Sequence, residues 1–245
     1  MLIYINRDKD VKRREEFIKN NAHISDLIRY SAFDKNLIDR DDLIEREIID
    51  KDCPYSKAAL ANALSHITIW NAVLETGKTA CIFEDDAVLC NNFVSEYERI
   101  VSSVGEDWDI ILFGNNFDSS LKVSLVPDIL DSVTRFDNEK FIQNHKEFSK
   151  KDINSVPLKL VEAFGLCGYA ISQKGAYKLI NSVVPIKDLM LNIEICGSYL
   201  RNESLDNFLC AVYRYLNAYI CIPPLCVTEN DKSKSTMWNG DDFYL

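Results

Sequence analysis

"TACIFEDDAVL", residues 79–89, is the stretch from which the rest of the chain can be read. Thr79 to Phe83 is a short apolar run of the kind that buries itself as a strand. It stops against Glu84, Asp85 and Asp86, after which Ala87, Val88 and Leu89 are apolar again. Adjacent carboxylates repel one another, and a chain with no use for them gains by spacing them apart. In open parallel α/β sheets, ligands sit beyond the carboxyl ends of the strands, which is where these acids fall. Carboxylate oxygens are hard ligands suited to Mg²⁺ or Mn²⁺, ions held by one or two carboxylates plus a substrate's phosphates. The plainer explanation is that the acids cap the next helix or pair with lysines. An aspartyl-nucleophile phosphatase would need Asp-x-Asp, and here the two aspartates are adjacent, with Val88 two positions beyond Asp86.

Upstream, "SKAALANALSHITIWNAVLETGK" (56–78) predicts a long helix with Ser56 as its N-cap and Gly77 as its stop. "LIYI" (2–5) predicts a strand, 11–18 a charged helix with Val11, Phe17 and Ile18 on its apolar stripe, and "DLIRYSAF" (26–33) a second strand. Residues 34–52 read as a solvated loop or short helix. Downstream, 91–104 reads as a helix entered through an asparagine cap, and "WDIILFG" (108–114) as a strand. This alternation predicts a mostly parallel sheet covered by helices. Periodicity fades over 115–157, read as an inserted loop region or small lid, a length of connection that is usually functional or mobile. Order returns with a strand at 166–172, a helix at 174–182, an ambiguous stretch at 185–202, a capped helix at 204–216 and a last strand closed by Pro223 and Pro224. With no repeat and no linker, one domain with a C-terminal elaboration is expected. Residues 1–114 form its first half and 158–245 its second.

The 245 residues can bury a substantial core, and 47% hydrophobic with 27% charged residues describes an ordinary globular chain. A net charge of −10 repels phosphate backbones and argues against a nucleic-acid partner. The basic spot Lys9, Lys12, Arg13, Arg14 suits a single phosphorylated ligand. Eight cysteines contain no Cys-x-x-Cys, so zinc-ribbon and thioredoxin-like readings lose their support. Reduced structural thiols in a reducing cytosol are expected. The N-terminal apolar run ends after five positions, too short for a signal peptide, and no apolar stretch approaches the ~20 residues of a membrane span. A cytoplasmic protein is expected, with at most peripheral membrane contact through its substrate.

Taken with its flanks, the acid stretch resembles glycosyltransferase family 25, which includes bacterial lipooligosaccharide β-galactosyltransferases. The resemblance is carried by Ser65 and His66 in a small-residue helix, then Glu84, Asp85, Asp86 and Ala87. It also rests on Asn6, Asp8, Arg13 and Arg14 at the start, Tyr169, Ser172, Gly175 and Ala176 in "GYAISQKGAYKLI", and Asp206 in "SLDNFL". Arg7 and "ALANAL" depart from the family pattern, and 115–156 matches none of it. The resemblance implies a GT-A-like, Rossmann-like fold, a UDP-sugar donor and an inverting transfer.

Within that frame Asp86 is the first choice of metal ligand, with Asp85 joining it or bonding the ribose, and Glu84 holding the loop or base. Asn6, Asp8 and Arg13 reach the same crevice from the neighbouring strand, where an arginine can take a phosphate or stack on uracil. His66 is either a satisfied core histidine or a donor to phosphate or acceptor. Inversion needs a carboxylate to take the acceptor hydroxyl's proton, and Asp206 is the candidate, its plain alternative being helix capping. Asp241 and Asp242 are weaker candidates for the base, a metal ligand from the C-terminal region would be an acid or amide such as Glu229, Asn230 or Asp231, and Trp238 and Tyr244 could stack on sugars. A hexose transfer, galactose from UDP-galactose onto lipooligosaccharide with Mn²⁺ or Mg²⁺, is the expectation. The rivals are a nucleotidyltransferase, for which "INRDKD" lacks the glycine-rich loop, and a non-catalytic sugar-nucleotide binder. Oligomeric state is left open.

Overall fold

The computed structural model describes residues 1–228; the tail positions Glu229, Asn230, Asp231, Trp238, Asp241, Asp242 and Tyr244 lie outside the described residues. The chain runs β1 (Leu2–Asn6), α1 (Val11–Asn20), β2 (Leu27–Ser31), α2 (Arg40–Glu45), α3 (Lys57–Thr76), β3 (Ala80–Glu84), β4 (Ala87–Leu89) and α4 (Phe93–Val104). It continues β5 (Ile110–Leu112), β6 (Leu121–Val126), β7 (Leu130–Thr134), α5 (Asn138–Asn144), β8 (Val156–Glu162), β9 (Gly168–Ile171) and α6 (Gln173–Val183). It closes with β10 (Met190–Ile193), β11 (Ser198–Arg201), α7 (Leu205–Val212), β12 (Ala218–Ile222) and β13 (Cys226–Thr228).

A nine-stranded sheet in the order β2-β1-β3-β9-β5-β12-β8-β6-β7 forms the middle layer. β2, β1, β3, β5, β12 and β6 point one way, and β9, β8 and β7 the other. The α/β class and the predominance of one strand direction are as expected. The alternation of side chains along β3 shows why both faces are covered. Ile82 packs with α3, α6 and α7 into the larger core, while Cys81 and Phe83 pack with Phe17 of α1 and Phe93 and Ile100 of α4 on the other face. Every one of these sheet residues is 1% exposed or less, so the strand has no solvent face, as a central strand requires.

α3 starts where the Ser56 side chain accepts a bond from the Ala59 amide at 3.2 Å, and it ends at Gly77 with φ 68°. It packs against α6, and that helix approaches the sheet so closely that a Cβ on Gly175 would stand 1.9 Å from the Asp109 carbonyl oxygen.

Several expectations are corrected. On α1 only Phe17 is buried, whereas Val11 and Ile18 are exposed, so its contact with the sheet rests on one ring. Asn92 stands at the start of α4 without capping it; its amide instead pairs with the backbone of Ile153 through both Oδ1 and Nδ2, each at 2.8 Å. Within 115–157, read as structureless, β6 and β7 extend the sheet and α5 follows. The ambiguous 185–202 stretch is largely the β10–β11 hairpin. β12 is not the last strand, because β13 follows and pairs antiparallel with β4, setting Thr228 opposite Ala87. All eight cysteines are free thiols, seven of them buried.

Candidate active site

β1 and β3 run parallel with Ile5 opposite Glu84, so the residues just beyond them, Asn6 and Asp85, emerge side by side. Asn6 donates from Nδ2 to Asp85 Oδ2 at 2.7 Å and to the Asp10 carbonyl at 3.2 Å, tying the turn after β1 to the acids. α1 then returns Arg13 over the same point. Its Nε donates to Asp85 Oδ1 at 2.8 Å, and its Nη2 bonds Asp85 Oδ1 and reaches Asp86 Oδ2 at 3.3 Å. Burial opposes the Arg13 charge, but the hydrogen bond and attraction of Asp85 prevail and raise its pKa. Asp85 therefore has both oxygens taken by the protein itself. In this arrangement Asp85 anchors Arg13.

Glu84 and Asp86 are less well compensated. Burial, followed by the charges of Asp86, Asp206 and Asp85, pushes Glu84 up to about 8. Burial also raises Asp86, with Arg13 and the hydroxyl of Thr228 pulling against it. Asp86 Oδ1 is sealed from solvent and has no hydrogen-bond partner among the described residues. Leaving such an oxygen unpaired costs about 1–3 kcal/mol.

Asp206 lies in the first turn of α7, whose N-cap is Ser204, accepting from the Asn207 amide at 3.2 Å. The cap belongs to Ser204, so Asp206 is free of that duty and turns to the Gly165 amide, 2.7 Å from its Oδ1. Burial raises its pKa to about 6, the Gly165 bond opposes this, and Asp118 adds to it. The charge of Asp206 bears on Glu84.

His66 is fully buried; its Nδ1 meets the Tyr169 hydroxyl at 2.7 Å, and Trp70 Nε1 donates to that same oxygen at 2.8 Å. Burial lowers the His66 pKa to about 4, so it is neutral at pH 7, with Nε2 unpartnered among the described residues. Ser65 accepts from the Phe33 amide and donates to the Ala61 carbonyl. His66, Trp70 and Tyr169 thus form a buried knot, Ser65 ties α3 to the Phe33 segment, and Ser172 caps α6 by accepting from the Gly175 amide. Asp8 is not drawn to the acids: it is exposed, pairs with Arg29 at 2.8 Å and accepts from Ser31. The Arg29 bond, then that of Ser31, keeps its pKa below the ordinary carboxylate value.

The sequence reading missed Asn115 and Thr228. Asn115 follows β5 and is buried with Oδ1 unpartnered; the polar pair Asn115-Asn116 after an apolar run was the available signal. Thr228 reaches Asp86 only through the β13–β4 pairing, which no local pattern announces.

Among the described residues no three His, Cys, Asp or Glu side chains converge as a complete metal cage. A divalent ion that shares its shell with a diphosphate needs only one or two carboxylates, and the unsatisfied Asp86 Oδ1 meets that smaller demand.

The acids gathered beyond the carboxyl end of β3 stand where open α/β proteins bind their ligands. The chain belongs to glycosyltransferase family 25 (LPS biosynthesis protein), whose family model matches residues 3–195. Its general activity is therefore glycosyl transfer between a sugar donor and an acceptor. No curated protein matches the chain. Among solved structures it is similar to the crystal structure of A197 from STIV, with 11% identity over 93% of this chain and 81% of that one; at a TM-score of 0.38 this likeness carries no argument. No helix of the described residues is long and apolar enough to cross a membrane.

Proposed function

We propose that the chain transfers a hexose, galactose from UDP-galactose, with inversion onto a saccharide of bacterial lipooligosaccharide, in the cytoplasm at or near the inner membrane. The observation that carries the reading is the unequal treatment of the three acids: Asp85 is neutralised by Arg13, while Asp86 keeps a buried oxygen without a partner.

Asp86 would hold Mn²⁺ or Mg²⁺ with help from the donor's diphosphate, and the ion when bound supplies neutralisation of the charge growing on the departing UDP. Arg13, fixed by Asp85, keeps a positive charge beside that diphosphate. Glu84, raised to about 8, carries its proton at pH 7 and can donate it to a donor oxygen as a hydrogen bond. Asp206 takes the proton from the attacking acceptor hydroxyl; with a pKa near 6 it is mostly ionised at pH 7 yet more basic than a surface aspartate. His66, buried and neutral, keeps only Nε2 for substrate, so its role is positioning.

UDP release from UDP-galactose, followed with and without saccharide acceptors and in Mn²⁺ or excess chelator, tests the reading. Acceptor-stimulated release that stops in chelator is expected. Equal turnover in chelator would remove the metal, and no release from any UDP-hexose would remove the donor.

A further inference from the structure

Beyond the acids, a concavity of about 410 Å³ opens among Phe117, Ser119, Ser120, Arg135, Phe136 and Asn138. It adjoins Asp206 through a short chain of contacts. Gly165 donates to Asp206, and the Asn116 amide donates to the Phe164 carbonyl at 2.8 Å. The segment lining the cleft therefore begins one residue past a strut of the candidate base. Asp118, also in the lining, is near enough for its charge to bear on Asp206.

The lining has the composition of a saccharide site. Phe117 meets Phe136 edge-on at 4.8 Å and Phe141 at 4.7 Å, an apolar base for the carbon face of a sugar ring. Serine hydroxyls and the Asn138 amide provide hydroxyl partners. The volume lies within the ordinary range for small-ligand sites, roughly 300–1,000 Å³. Arg135 decides the chemistry further. In a chain of net charge −10, nearby Lys122 is held by Asp131 and Glu194. Arg135 makes no hydrogen bond or ion pair with any described residue and stands exposed on the lining. A free guanidinium is a planar fork that suits a carboxylate or phosphate.

We infer that this cleft is the acceptor subsite and that it takes a saccharide bearing an anionic substituent, carboxylate or phosphate, which Arg135 holds. The inference rests on the transferase reading above, because the cleft is assigned to the acceptor through the strut that links its lining to Asp206. The ionised Asp206 disfavours an anion at its own end of the cleft, so the substituent turns to Arg135 and a neutral hydroxyl faces the base.

The test is ligand-observed NMR titration of glucose, glucuronic acid and glucose 6-phosphate against wild type, R135A and R135K, with UDP-galactose titrated in parallel. At least one anionic probe is expected to bind about 10-fold more tightly than glucose; the stronger of the two identifies the substituent. R135A should erase the preference and R135K keep part of it. Equal binding of all three probes, no binding, or a preference that survives R135A overturns the inference. If UDP-galactose binds while the preference is missing, the subsite alone fails. If the Arg135-dependent preference is present and UDP-galactose does not bind, the donor reading fails instead.

Discussion

Arg13 sits between two carboxylates that would otherwise face each other undiluted. Arg13→Ala leaves Asp85 with only Asn6, and we expect a loss of about 2 kcal/mol in urea unfolding, less than a fully buried pair because the guanidinium keeps solvent contact. Asp86→Asn is expected to lower metal-dependent turnover at least ~100-fold with an unchanged circular dichroism spectrum; activity that persists would shift the ligand role elsewhere. Asp206→Asn should cost about 10²–10⁴ in rate. The wild-type rate should rise with pH through about 6, where Asp206 ionises. Stability runs the other way. The folded state holds this proton more tightly than the unfolded chain, so the Asp206 contribution is most favourable below the unfolded value of 3.8 and is lost as pH climbs to about 6. The melting temperature of Asp206→Asn relative to wild type should therefore increase between pH 4 and pH 7. A gap that is flat in pH would mean that the carboxylate is not desolvated.

The contact between α6 and the entry to β5 and the α3 knot make two element-scale tests. Gly175→Ala drives a methyl into the Asp109 carbonyl and should destabilise by ~3 kcal/mol or abolish soluble expression. Tyr169→Phe strips the shared partner from His66 and Trp70 and should cost about 2–4 kcal/mol, read as a lower denaturant midpoint. Much at this scale was legible before the structure. Ser56 and Gly77 bracket α3 by cap chemistry alone, and β3 announces itself by an unbroken apolar run. β6 and β7 were not legible because they lie at the open end of the sheet: β6 buries only Leu121 and Val123, and β7 buries none of its residues. The acids and Arg13 could be read because each follows a recognisable strand. Thr228 and Asn115 could not, since their meaning depends on which distant segments pair.

At the scale of the whole molecule, β9 is inserted antiparallel between β3 and β5, a placement that four apolar residues cannot signal. β3 leads to the acids and β5 to the loops around Phe117, and the strand joining them is supplied more than fifty residues after β5 in chain order. During synthesis β3 and β5 therefore wait as unpaired edges, a state open to misassociation. A chain truncated near residue 150 should emerge insoluble or bound to chaperones, although it carries Arg13 and all three acids. Supplying 151–245 as a separate polypeptide in the same cell should restore solubility by filling the gap.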